Sequence, residues 1–99
     1  MEEIIQKLRE FYKENGVYFE RLNEFSNEAK ACYFNVNGDM SGYDSWQNNY
    51  KKVVQKIADE LGCQTKFLYE VKDCCFDLSI EDKSIKVVYE DDKLELFEL

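Results

Sequence analysis

The chain has no histidine, no proline, only four glycines and a shortage of basic side chains. Without histidine it lacks the usual general base at neutral pH and the commonest metal ligand. Thirteen Lys and Arg against 21 Asp and Glu leave a net charge of −8. Direct nucleic-acid binding is therefore not expected, because affinity for phosphate backbones comes mainly from Lys and Arg. Anionic membrane surfaces would repel the chain for the same reason. No apolar run approaches the ~18 residues of a membrane span. The opening Met1-Glu2-Glu3-Ile4-Ile5 is acidic where a secretory leader is basic. With no repeat and no Gly/Ser linker, the expectation is a single domain, 1–99, in the cytoplasm.

Motifs that carry chemistry are missing as well. There is no G-x-S-x-G, no S-x-x-K, no phosphate-cradling glycine loop and no dinucleotide fingerprint. The four cysteines, Cys32, Cys63, Cys74 and Cys75, form no C-x-x-C. The adjacent pair would point to opposite faces of a strand and could not share a zinc ion. They read as reduced thiols acting as small hydrophobes, with a redox role for an exposed Cys75 as the alternative. Asn35-Val36-Asn37-Gly38-Asp39 lacks the ligand spacing and closing glutamate of a calcium loop. No enzyme activity, cofactor or metal is expected.

What is present is a substantial core: 44% hydrophobic residues, 15% of the chain aromatic, enough to fold without staples. Ile4, Ile5, Leu8, Phe11 and Tyr12 recur at helical spacing, and Asn15-Gly16 reads as the stop, with glycine supplying a left-handed turn. Tyr18, Leu22, Phe25 and Ala29 continue a helical period, yet Val17–Phe19 and Ala31–Val36 are rich in strand formers. Residues 17–36 thus fit either a helix near 18–30 with an extended piece near 32–36, or a hairpin. Residues 37–42 are a loop by their turn chemistry. Tyr43, Trp46, Tyr50, Val53, Val54, Ile57 and Leu61 then stripe a long helix. It is expected to open on an Asp44/Gln47 capping box and close at Gly62.

Residues 64–99 alternate with period two. A turn at Lys72-Asp73 sets Val71 against Cys74, Tyr69 against Phe76 and Phe67 against Leu78. A break at Glu81–Ser84 sets Ile80 against Ile85, Leu78 against Val87 and Phe76 against Tyr89. A turn at Asp91-Asp92 sets Tyr89 against Leu94 and Val87 against Leu96. Each register gathers apolar residues on one face, which a one-residue slip would undo. The expected fold is α+β in two layers: a four-stranded antiparallel meander over about 64–99, covered on one face by two or three helices.

The outer face of that sheet is the candidate site. It carries Lys66, Leu68, Glu70, Cys75, Asp77, Lys86, Val88, Glu90, Glu95 and Phe97, with Asp91 and Asp92 extending the acid along one rim. On this register Asp77 neighbours Leu68 and Val88, and Val88 neighbours Glu95. Leu68, Val88 and Phe97 among carboxylates are more apolar than an idle solvated face requires. The pattern suits docking of a basic partner, with the acids steering approach. In size, charge and lack of motifs the chain is similar to bacterial immunity proteins against nuclease toxins and to phage anti-defence proteins, including anti-CRISPRs. No residue pattern carries the likeness further. The expected function is inhibition of a basic, nucleic-acid-handling protein such as a nuclease or CRISPR-type effector. The alternative is a non-catalytic structural or regulatory module that self-associates as a homodimer through the edge strand at Leu94–Leu99.

Overall fold

A computed structural model describes residues 2–34 and 42–99. Three helices, α1 (Glu2–Glu14), α2 (Gly16–Tyr33) and α3 (Tyr43–Leu61), precede a three-stranded antiparallel sheet. Its strands are β1 (Cys75–Ile80), β2 (Lys83–Glu90) and β3 (Lys93–Glu98), in the order β1-β2-β3. The class is α+β, with three strands rather than four.

α1 buries Ile4 and Leu8 and carries Glu2 and Glu3 in its first turn and Lys13 in its last, the polarity that suits the helix dipole. The break falls on Asn15, at φ −130 and ψ 41, while Gly16 already begins α2; no left-handed glycine is used. α2 runs on to Tyr33, so the hairpin reading of 17–36 and the extended piece at Cys32 and Tyr33 are both corrected. Residues 35–41, including most of the expected loop, lie outside the described residues. The strand formers were overridden by packing. Phe19, Leu22, Ser26 and Ala29 fall on one buried face of α2, a stripe that only the helical period brings together.

α2 and α3 run antiparallel, as the ring pairs Phe25–Trp46 at 5.9 Å and Tyr33–Tyr43 at 5.8 Å show. α3 opens on Gly42 without a side-chain cap, so the Asp44/Gln47 box does not form. A Cβ at Gly42 would sit 3.1 Å from Trp46 Nε1 and 3.2 Å from Cys32 Sγ, closer than ordinary van der Waals contact. At the other end Gly62 takes φ 69 as expected. The Cys63 and Gly62 N–H groups donate to the Ala58 and Asp59 carbonyls at 2.8 and 3.2 Å, a Schellman closure.

The β2–β3 register is the expected one, Tyr89 against Leu94 and Val87 against Leu96. Its turn, Asp91-Asp92, holds both residues at positive φ, 53 and 61, as a tight hairpin turn of this type requires. β1–β2 differs by two residues. Phe76 faces Val87 and Leu78 faces Ile85, because the turn is Glu81-Asp82 alone, with Glu81 at φ 56. An even slip leaves every side chain on its expected face, so Phe76, Leu78, Ile85, Val87 and Tyr89 still form the buried inner layer beneath the helices.

The fourth strand is absent. Residues 64–70 make only one ladder bridge to β1, Gln64 to Ser79. Phe67 at φ 53 and Cys74 at φ 57 turn the chain out of the strand conformation. Val71–Asp73 is a single 3-10 turn, which cancels the expected Lys72-Asp73 hairpin and its three residue pairs. Tyr69 leaves the core for the outer side, where Lys86 Nζ lies 5.0 Å from its ring.

Candidate functional site

The missing strand changes the outer face. Residues 65–68 lie across β1 and are fastened to it by one side chain, Asp77. The Thr65 hydroxyl and the Leu68 N–H donate to its Oδ1 at 3.2 and 3.1 Å, and the Lys66 N–H donates to Oδ2 at 2.9 Å. Asp77 is 1% exposed. It is therefore a clamp within the fold and not a partner-facing acid; its strand neighbour on β2 is Lys86, not Val88. Cys75 is 3% exposed, which fits the reading of the cysteines as buried small hydrophobes and not the alternative of an exposed redox thiol.

Leu68 rides on the outside of this covering segment at 57% exposure. Glu70 turns away toward the helices: the Tyr43 hydroxyl donates to its Oε2 at 2.7 Å, and Lys72 Nζ lies 3.6 Å from the same oxygen. Asp92 also leaves the outer face, accepting from the Tyr89 hydroxyl at 3.3 Å. The expected site is thus divided: Leu68 lies outward over β1, while Glu70, Asp77 and Asp92 are turned to partners within the fold.

What remains together is the outer face of the β2–β3 hairpin. Val88, Glu90, Asp91, Lys93 and Glu95 line a shallow pocket of about 210 Å³. Val88 faces Glu95 and Glu90 faces Lys93 across the strands. Half-buried Val88 forms the apolar floor, and three carboxylates against one ammonium form the walls. Phe97, 48% exposed, extends the face along β3 beside Lys86. Lys30 of α2 reaches Glu90 at 3.8 Å, an exposed pair of little energetic weight. Lys93 is the residue that the outer-face reading missed; its position beside the Asp91-Asp92 turn was the available signal.

The cysteines are all free, with Cys63, Cys74 and Cys75 buried and Cys32 partly so. Cys74 pairs with the Ser26 hydroxyl, and its contact with the Lys30 ammonium holds that group above its ordinary value. Burial pushes the Cys75 thiol up to about 11, with Lys86 pulling the other way. Burial likewise raises Tyr43, Tyr50 and Tyr89 above the usual phenol range, with the Glu70 carboxylate reinforcing Tyr43. A raised value means that the folded state holds the proton more tightly than the unfolded chain. The resulting stability is complete below the ordinary thiol value of 9 and is lost as pH climbs through about 11. The urea midpoint is expected to stay level from neutral pH to about 9 and then fall. Cys75→Ala should reduce the first part of that fall and leave the parts due to Cys63, which burial also raises, and to the tyrosines; an identical profile for the variant would refute the assignment.

No family model, curated protein or solved structure matches this chain. Among the described residues no helix is long and apolar enough to cross a membrane, and no three Cys, Asp or Glu side chains converge as metal ligands would.

Proposed function

We propose that this protein is a non-catalytic cytoplasmic inhibitor. It would bind a basic, nucleic-acid-handling protein, such as a nuclease or a CRISPR-type effector, on the outer face of its β2–β3 hairpin. The observation that supports this most is the cluster of Glu90, Asp91 and Glu95 around Val88. Carboxylates spaced along a sheet face can stand where backbone phosphates would lie in a cationic groove, while Val88 and Phe97 supply dehydrated contact. The partner is a protein; neither nucleic acid nor a membrane is bound directly.

The test is affinity capture at low salt with the wild-type chain and with Glu90→Gln/Asp91→Asn/Glu95→Gln side by side. The wild type should enrich a basic protein that the neutralised chain does not. These side chains are exposed, so the variant should fold with unchanged or slightly higher stability as like charges are removed. Equal capture by both chains would discard the hairpin face as the binding surface.

A further inference from the structure

The two edges of the sheet are finished differently. At β1 the Gln64 N–H donates to the Ser79 carbonyl at 2.8 Å and the Ser79 N–H to the Gln64 carbonyl at 2.7 Å, so that edge is partly closed. β3 has no such cover among the described residues. The Leu99 N–H donates to the Ser84 carbonyl at 3.0 Å. With the register of β2 and β3, the alternation of an antiparallel ladder makes Lys93, Glu95 and Phe97 the residues bonded to β2. The N–H and C=O groups of Leu94, Leu96 and Glu98 therefore point away from the sheet.

Beside this edge, on the inner side, a groove of about 460 Å³ lies between α1 and β3, lined by Arg9, Tyr12, Lys13 and Leu94. Among the described residues the ion pairs involve only Lys30 and Lys72, so Arg9 and Lys13 bring two uncompensated cations to the groove. Leu94 and Leu96 on the same side are only half-buried. A strand added here would meet backbone partners, apolar cover and positive charge.

We propose that the strand is β3 of a second copy of this chain, antiparallel about a two-fold axis with Leu96 facing Leu96. Only this register matches all three outward residues of each strand, Leu94 with Glu98, Leu96 with Leu96 and Glu98 with Leu94. Each such pair exchanges both backbone bonds. It also sets Glu98 of the second copy opposite Leu94, at the groove that holds Arg9 and Lys13. A register centred on Glu95 would oppose two like charges and leave Glu98 unmatched; one centred on Phe97 would leave Leu94 unmatched. The contact is isologous, so each complementary feature occurs twice. The product is a six-stranded sheet whose two acidic hairpin faces lie side by side and open, so this pairing does not compete with the partner site.

The net charge of −8 per chain opposes pairing. The measurement is therefore made at about 0.15 M salt, where that long-range repulsion is largely screened. The test is sedimentation equilibrium of the full chain over the micromolar range, with each variant's fold checked by its urea midpoint. A species of twice the 11.8-kDa mass is expected. Glu98→Lys and Arg9→Glu/Lys13→Glu should each weaken it by about tenfold or more, and the combined triple variant should recover most of the loss. A monomer at every concentration overturns the proposal, as does a dimer indifferent to these changes or one that the combined variant fails to restore. None of these results depends on whether a basic partner is ever captured.

Discussion

Asp77→Ala should cost about 3–5 kcal/mol of folding stability, more than the loss of any surface acid. Three donors converge on this buried carboxylate, from Thr65, Lys66 and Leu68. Hydrogen bonds to a charged group contribute about 1.5–3 kcal/mol each, and a buried donor left without a partner costs about 1–3 kcal/mol. The covering segment would then lift from β1 and expose Cys75. Asp77→Asn keeps an acceptor oxygen but turns an amide donor toward donors, so about 2–3 kcal/mol is expected. Urea unfolding of both variants checks this, with thiol labelling of Cys75 as the local readout. Stability within about 0.5 kcal/mol of wild type, the range of an ordinary surface substitution, would return Asp77 to the solvated face.

The second large effect is expected at Phe19, which is 0% exposed. Its ring meets Tyr12 at 5.0 Å, Tyr89 at 5.6 Å and Phe11 at 6.3 Å between centroids. One side chain thus joins α1, α2 and β2. Phe19→Ala should cost about 3–5 kcal/mol, the usual range for truncating a buried aromatic, while Phe19→Leu should cost about 1–2 kcal/mol because most of the volume is kept. Thermal or urea unfolding measures both. A small loss for Phe19→Ala, with Tyr18→Ala more damaging, would mean that α2 buries the neighbouring stripe instead.

That comparison shows where the sequence could and could not be read. The pattern Tyr18, Leu22, Phe25, Ala29 predicts a helix there, and Leu22 and Ala29 are indeed buried, yet their companions are Phe19 and Ser26. The apolar arc is wide, and its exact centre is chosen by tertiary contacts with Tyr12 and Tyr89, which no local period encodes. The β2–β3 hairpin was fully legible because its turn is two residues long and both flanks alternate cleanly. β1–β2 was read with the right face and the wrong register, since period two cannot distinguish registers that differ by two residues.

The fourth strand failed for another reason. Residues 64–70 alternate like a strand, but the Lys66 and Leu68 N–H groups donate to the Asp77 side chain, Phe67 N–H to Thr65 Oγ1 and Glu70 N–H to Asp73 Oδ2. An acid at an outward position looks in sequence like any solvated acid. The usable clue was its setting, for Cys75 and Ser79 flank Asp77 on the outward side of β1, and both are small enough to let a chain segment lie across them. Of the expected site, Val88, Glu90, Asp91, Glu95 and Phe97 depended only on the legible hairpin and stay together. Leu68, Glu70 and Asp77 depended on the missing strand and were dispersed with it.

On the proposed function, the hairpin's carboxylates hold a basic partner in place of nucleic acid. The most direct measurement is the affinity for the captured protein as a function of salt, repeated with DNA or RNA as competitor and with the Glu90/Asp91/Glu95 neutralised chain. Affinity is expected to fall at least about tenfold as salt is raised past the screening range, with displacement by nucleic acid and little salt dependence left in the neutralised chain. A partner held equally at low and high salt, undisturbed by nucleic acid and bound as well by the neutralised chain, would contradict the proposed function.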